Sequence, residues 1–199
     1  RGGGEWREAG PAVEAGGAAI IGFDVESVVA ACQEAGQGDV VSAVNFNAPG
    51  QVGIAGKAAA VERAIEACKE KGARKAMPLP VSVPSHCALM SDAAKELEAA
   101  LDEVSFNDAV IPVIQNVSAS AVQASDELKA NLVKQLYSPV LWTDTVKELQ
   151  NRGVQAAVEC GPGKVLAGLV KRIERGLAVH HIDSPEGLDS ALEAFGASR

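Results

Sequence analysis

Aromatic side chains are scarce in this 199-residue sequence, at 4 %, so Ala, Val, Leu and Ile must fill its core. That composition suits buried strands covered by Ala-rich helices. Long apolar runs are missing too: Ala18 to Ile21 and Val165 to Val170 are far too short to cross a bilayer. The start is Gly-rich and mixed in charge, unlike a signal peptide. No basic run or stripe appears, and 18 Lys and Arg stand against 26 Asp and Glu for a formal charge of -8. Nucleic acid and membrane are therefore not expected as partners, and only a local basic patch is left to dock something acidic. Cys32, Cys68, Cys87 and Cys160 are widely spaced with no C-x-x-C, which predicts reduced thiols in a cytoplasmic setting.

Several catalytic motifs are also absent. No serine sits in a G-x-S-x-G turn, the strained elbow that exposes a nucleophile. Gly161-Pro162-Gly163-Lys164 lacks the Ser or Thr that a phosphate loop requires after its lysine, and Lys57 is followed by Ala. The glycines at 161 and 163 serve a strand-to-helix turn. His180 and His181 point to opposite faces of a short strand with no further ligand at metal spacing, so no metal is expected, and one ring should be buried and the other exposed.

The hydrophobic fraction of 47 % is organised from residue 18 onward. Residues 18–23 read as a buried strand. Asp24 caps a helix over 25–36 that Gly36 and Gly38 end. Residues 39–56 read as two strands about a turn at Asn47 to Gly50. A helix over 57–72 carries Val61, Ala64, Ile65 and Cys68 at helical spacing, and 73–82 is extended. The order β-α-β-β-α-β is the split βαβ pattern of a ferredoxin-like module.

Beyond Pro84 the pattern predicts helices over 88–104, 126–137, 138–153, 161–176 and 184–196. Strands are predicted at 111–117, 156–161 and 178–182, and a polar loop at 118–125. Three short strands alternating with helices imply part of a parallel α/β sheet whose other strands come from elsewhere, most naturally before residue 1. The expected organisation is a Gly-rich start at 1–17, a small subdomain at 18–82, and part of a larger parallel-sheet, hydrolase-like α/β subdomain at 83–199.

Val83-Pro84-Ser85-His86-Cys87-Ala88-Leu89-Met90 is the strongest local site candidate. Prolines at 78, 80 and 84 hold its approach extended, and His86 stands at a helix entry, where it can serve as a general base or simply cap the helix. Cys87, followed by Ala-Leu-Met, reads as packed. Asn45 and Asn47 supply hydrogen-bonding groups or turn residues. Arg74 and Lys75, near Lys69 and Lys71, form the best basic cluster, either a solvated face or a contact for an acidic partner.

Taken together and in order, AAIIGF (18–23), VNFNAPGQVGIAG (44–56), LPVSVPSHCALM (79–90), KQLYSPVLW (134–142) and ECGPGKVLAGLVKRI (159–173) resemble the later two thirds of bacterial malonyl-CoA:acyl-carrier-protein transacylases. The resemblance implies an acyltransferase of fatty acid biosynthesis that uses no cofactor. Its substrates are malonyl-CoA and the phosphopantetheine thiol of acyl carrier protein. It assigns the base to His86, the acceptor that orients the ring to the backbone carbonyl of Gln135, and cleft-facing amides to Asn45 and Asn47. The Arg74-Lys75 pair matches basic surface where carrier protein docks. For Gln135 it makes the side chain secondary.

The family's serine elbow and oxyanion loop have no counterpart here, and its malonate-clamping arginine is missing or displaced. Arg1-Gly2 stands one residue out of register with the family's arginine-glycine pair, and residues 3–17 match poorly. The expectation is a chain that brings the base but not the nucleophile, inactive alone and dependent on a complementary N-terminal segment carrying the serine. The alternatives are an inactive remnant or carrier-binding, self-associating module, and an independent hydrolase using Ser85 or Cys87 with His86.

Overall fold

The structure is a computed structural model and describes residues 14–81 and 83–196. Residues 1–13, which include Arg1-Gly2 and most of the Gly-rich start, lie outside the described residues. The chain divides into two compact units, residues 1–142 and 143–199.

The first unit opens with β1 (Ala15–Ile21), α1 (Val25–Gly36), β2 (Val41–Ala48), β3 (Gln51–Lys57), α2 (Ala58–Glu70) and β4 (Lys75–Leu79). The strand begins at Ala15, so the last residues expected in the Gly-rich start belong to the sheet: Gly16 faces Gly56 and Gly17 faces Ala55. Glycine is needed there because a Cβ on Gly16 would lie 2.9 Å from the Ala58 Cα. The four strands form an antiparallel sheet in the order β2-β3-β1-β4.

Period-2 alternation puts Ala18, Ile20, Val52 and Ile54 on one face of this sheet, and helical spacing puts Val28, Ala31, Cys32 and Ala35 of α1 and Val61, Ala64, Ile65 and Cys68 of α2 against them. Ile20, Val28, Val52 and Cys68 are fully inaccessible. Each fully buried aliphatic side chain contributes about 1.5–3 kcal/mol. Asp24 accepts from the Ser27 backbone N–H at 2.8 Å and starts α1, and left-handed Gln37 (φ 48°) and Gly38 (φ 94°) end it. The orphan carbonyls of Ala35 and Gly36 are then met by Arg63 at 2.8 and 2.9 Å, with Asp39 bridging Lys57 and Arg63.

A 3-10 turn at Ala88–Met90 leads into α3 (Ser91–Asp102), which packs through Met90, Ala93 and Ala94 on Val133 and Leu136 of α4 (Ser125–Tyr137). Between these helices the fold departs from expectation. The strand predicted at 111–117 is β5 (Val113–Gln115), paired antiparallel with β6 (Ser120–Val122) inside the stretch read as a polar loop. The hairpin forms because Ser118 and Ala119 donate back to the Gln115 carbonyl, with Ala119 at φ 51° reversing the chain. The segment therefore does not join a parallel sheet.

After α5 (Trp142–Asn151), the second unit carries β7 (Ala156–Glu159), α6 (Val165–Ile173), β8 (Ala178–His181) and α7 (Pro185–Ala194). β7 and β8 pair in parallel, joined by α6. Both His180 and His181 are half-buried, contrary to the one-in, one-out expectation. Each ring is partly covered by a neighbour: His180 meets the Phe195 ring edge-on, centroids 5.6 Å apart, and His181 Nε2 lies 3.8 Å from the Asp183 carboxylate. Among the described residues no helix is long and apolar enough to cross a membrane.

Candidate functional site

The site is built at the C-terminus of α4. Pro139 cannot continue a helix and forces the residue before it out of the helical region; Ser138 is extended at φ -116°, ψ 151°. The last carbonyls of α4 are left without intrahelical partners, and His86 takes two of them. Its backbone N–H donates to the Leu136 carbonyl at 2.9 Å, and its Nδ1 lies 2.7 Å from the Gln135 carbonyl. Since a carbonyl only accepts, Nδ1 carries the proton, and in the neutral ring Nε2 is the basic nitrogen. Leu136, 3 % exposed in the α3–α4 core, anchors the pair of acceptors.

His86 adopts φ 65°, a left-handed conformation rare for a residue with a side chain. Both hydrogen bonds hold it there, and Cys87 pins the next position. The Cys87 side chain, 2 % exposed, packs with Val44 and Ala55, and its thiol lies 3.2 Å from the Pro84 carbonyl. Burial pushes this thiol up from its ordinary value, which disfavours the nucleophilic thiolate at neutral pH. Burial also lowers the His86 pKa from its ordinary 6.5, partly opposed by the backbone carbonyls of Gln135 and Ser138. The lowered pKa favours the neutral ring at pH 7.

The segment after α4 is stitched to the sheet. Val140 N–H donates to the Val44 carbonyl at 2.8 Å and Phe46 N–H to the Val140 carbonyl at 2.9 Å, a parallel bridge centred on Asn45. Asn45 lies over Gly53, where a Cβ would meet its side chain at 3.1 Å. Gly53 alternates with Val52 and Ile54, so Asn45 occupies the face opposite the helices, the face on which Val44 and Ala55 bury Cys87. Asn47 follows on β2, half-buried. Arg74 and Lys75 are exposed at the start of β4, and Arg74 lies across Gly22. Their neighbours Lys69 and Lys71 are engaged by Glu66 and Glu34. The structure thus joins His86 directly to Gln135 and sets Asn45 beside the bridging strand, while Arg74 and Lys75 stand on β4.

Two features escaped the sequence reading: the Leu136 carbonyl as partner of the His86 backbone, and the Val140 bridge. Pro139 was the available signal, since ending α4 there orphans the carbonyls that His86 then uses.

In the second unit, Gly161 (φ 144°) and Gly163 (φ 85°) form the turn into α6. The Glu159 carboxylate accepts from Leu166 and Ala167 N–H at 3.0 and 2.8 Å. The helix N-terminus that a phosphate would use is thereby occupied by a side chain of the chain itself. Among the described residues no group of three or more His, Cys, Asp or Glu is placed to hold a metal ion.

The chain matches the acyl transferase domain family over residues 7–183. It is 51 % identical over 176 residues to the malonyl CoA-acyl carrier protein transacylase of Escherichia coli strain K12, which covers 88 % of this chain and 57 % of the relative. Among solved structures it is similar to an acyl carrier protein S-malonyltransferase from Vibrio cholerae, at 50 % identity and a TM-score of 0.92 over 95 % of this chain and 62 % of that one. It is also similar, at 47 % identity and a TM-score of 0.93, to a malonyl-transacylase solved in complex with its type II PKS acyl-carrier protein, with 96 % of this chain and 62 % of that one covered. The chain thus spans less than two thirds of the length of these relatives.

Proposed function

We propose, from the premise that the chain belongs to the acyl transferase domain family, that it supplies the proton-transfer part of a malonyl transfer from malonyl-CoA to the phosphopantetheine thiol of acyl carrier protein. The observation that carries this reading is the His86 ring, neutral and held by Nδ1 on the Gln135 carbonyl, which leaves Nε2 as the base. The serine is to come from a complementary N-terminal segment. Nε2 takes the serine hydroxyl proton as the oxygen attacks the malonyl thioester carbonyl, and returns it to the departing CoA sulfur as the C–S bond breaks. In the second half His86 takes the proton of the carrier's thiol, the sulfur attacks the malonyl-serine ester, and the serine oxygen leaves with that proton.

The Gln135 carbonyl plays the orienting part that a carboxylate plays in hydrolytic triads. Asn45 and Asn47 face the substrate, and Arg74 with Lys75 meets acidic carrier protein; the exposure of the latter two supports this. In this reading residues 18–82 are a ferredoxin-like small subdomain, which the strand order β2-β3-β1-β4 supports, and 83–199 are part of the larger α/β subdomain. The parallel β7–β8 pair, two strands linked by a helix, supports the latter.

The test mixes the chain with a separately made segment bearing a G-H-S-x-G elbow and follows carrier-protein mass after addition of malonyl-CoA. Malonylated carrier is expected from the mixture and from neither part alone. A mixture that assembles but leaves the carrier unmodified would sink the reading.

A further inference from the structure

The Gln135 carbonyl already has a role in the proposed chemistry, but its side chain does not. That side chain is half-buried. Its Nε2 donates to the Ser138 carbonyl at 3.2 Å and reaches the Pro139 carbonyl at 3.5 Å. The same nitrogen lies 3.5 Å from His86 Nδ1. Because Nδ1 spends its proton on the Gln135 carbonyl at 2.7 Å, it has no lone pair to offer the amide, and the amide hydrogens go to the two backbone carbonyls. The opposite amide orientation would set an oxygen against those carbonyls, which fixes the assignment.

These carbonyls belong to the turn that ends α4, where Pro139 lacks an N–H and the chain leaves the helical path. The Ser138 carbonyl also bears on the His86 ring, so the amide ties the turn back to the helix at an oxygen that faces the base. The amide closes a loop: one residue presents its carbonyl to His86 and clamps the turn following it with its side chain. Val140, the next residue, is pinned to β2 through Val44 and Phe46. The His86 acceptor is therefore held from both ends.

We infer that the Gln135 side chain is a positioning residue for His86, locking the ring in the Nδ1–H form by bridging the Ser138 and Pro139 carbonyls. This deepens the proposed role of His86 and rests on it only for the consequence in catalysis. A glutamate would put a negative oxygen against two carbonyls, and a methionine would keep the length while removing both donors. A lysine keeps a donor of similar reach.

The test is nitrogen NMR of the histidine rings in the 199-residue chain and in its Gln135→Met and Gln135→Lys variants. In the parent, the His86 Nδ1 signal is expected to be that of a protonated nitrogen and Nε2 that of an unprotonated one. In Gln135→Met the two signals should move toward each other as the tautomers mix, and Gln135→Lys should restore most of the separation. A folded Gln135→Met chain with parent-like His86 signals would overturn the inference. Should that variant fail to fold, the parent still decides: the Gln135 side-chain amide protons should exchange with solvent well below the rate of an exposed glutamine, and exchange at that free rate would overturn it. In the assembled enzyme Gln135→Met should lower kcat roughly 10- to 100-fold, as expected when a reacting group is displaced, with little change in KM. The ring signals are read without any transfer, so a failed complementation beside a Gln135-dependent tautomer would count against the malonyl-transfer reading alone.

Discussion

Residues 15–79 and residues 143–196 solve the same problem, a sheet needing cover, to very different degrees. In the first stretch both helices lie on one face of a four-stranded sheet, and Ala18, Ile20, Val28, Ala31, Val52, Ala60, Ala64 and Cys68 are wholly inaccessible. In the second, two parallel strands are accompanied by helices that leave Val165 71 %, Phe195 51 % and Leu166 41 % exposed. A parallel pair is ordinarily buried on both faces. The contrast teaches that the sheet of the first stretch is sealed by its own two helices, whereas the strands and helices of the second leave large apolar side chains in solvent. The apparatus around His86 belongs to the well-packed unit.

The largest effect that can test this contrast is chemical. In the complemented enzyme His86→Gln should lower carrier malonylation by about 10²- to 10⁴-fold, the range that a general base contributes, measured by initial rates at saturating malonyl-CoA. Retention of more than a tenth of the rate would break the link between the packed unit and the chemistry.

Packing substitutions sharpen the comparison directly. Ile54→Ala, at 2 % exposure, should destabilise the chain by about 2–5 kcal/mol in urea unfolding. Val165→Ala should shift stability by no more than about 0.5 kcal/mol, as exposed substitutions do, until the complementary segment is added. Comparable costs at the two sites in the isolated chain would contradict the contrast.

A smaller effect is expected at the start of α1. Asp24→Ala removes the acceptor for Ser27 N–H and should lower the urea midpoint by less than Ile54→Ala does. Its tighter signature is acid sensitivity: the Asp24 pKa is lowered chiefly by the backbone N–H of Ser27, so the cap's contribution is present above the ordinary carboxylate pKa and lost as pH falls through the lowered value. Asp24→Asn should flatten that part of the stability curve.

The smallest effect comes from His86 titration in the isolated chain. Its folded pKa is depressed, so the unfolded chain takes up the proton first as pH falls; the associated stability is full above about pH 6.5 and is lost as pH drops through the folded value. His86→Gln should remove this slope in stability measured between pH 7 and 5. The same sign puts the acid limb of the transfer rate below pH 6.5, because the base stays unprotonated there.

Much of the first unit was legible because its signals are local. Asp24 before an apolar-periodic run, the Asn47 to Gly50 turn, and the face of Val61, Ala64, Ile65 and Cys68 each fix an element without tertiary context. The hairpin of β5 and β6 was missed because Ser120-Ala121-Val122 is short and flanked by polar residues, so pairing with Val113–Gln115 decides its conformation rather than propensity. His86 and Gln135 were named through the resemblance; the residues alone left His86 open between a base and a cap. Their contact spans 49 positions in sequence, and no periodicity reports such a distance. The Gln135 side chain, set aside as secondary, gained its place only once Ser138 and Pro139 were seen to end α4 beside it.

The most direct test of the central claim, that this chain brings the base but not the nucleophile, is intact mass after incubation with malonyl-CoA, with and without the segment bearing the G-H-S-x-G elbow. The account predicts a malonyl adduct on the added segment only, and only when this chain with His86 is present. A malonyl adduct on the 199-residue chain by itself would contradict it and turn attention to Ser85.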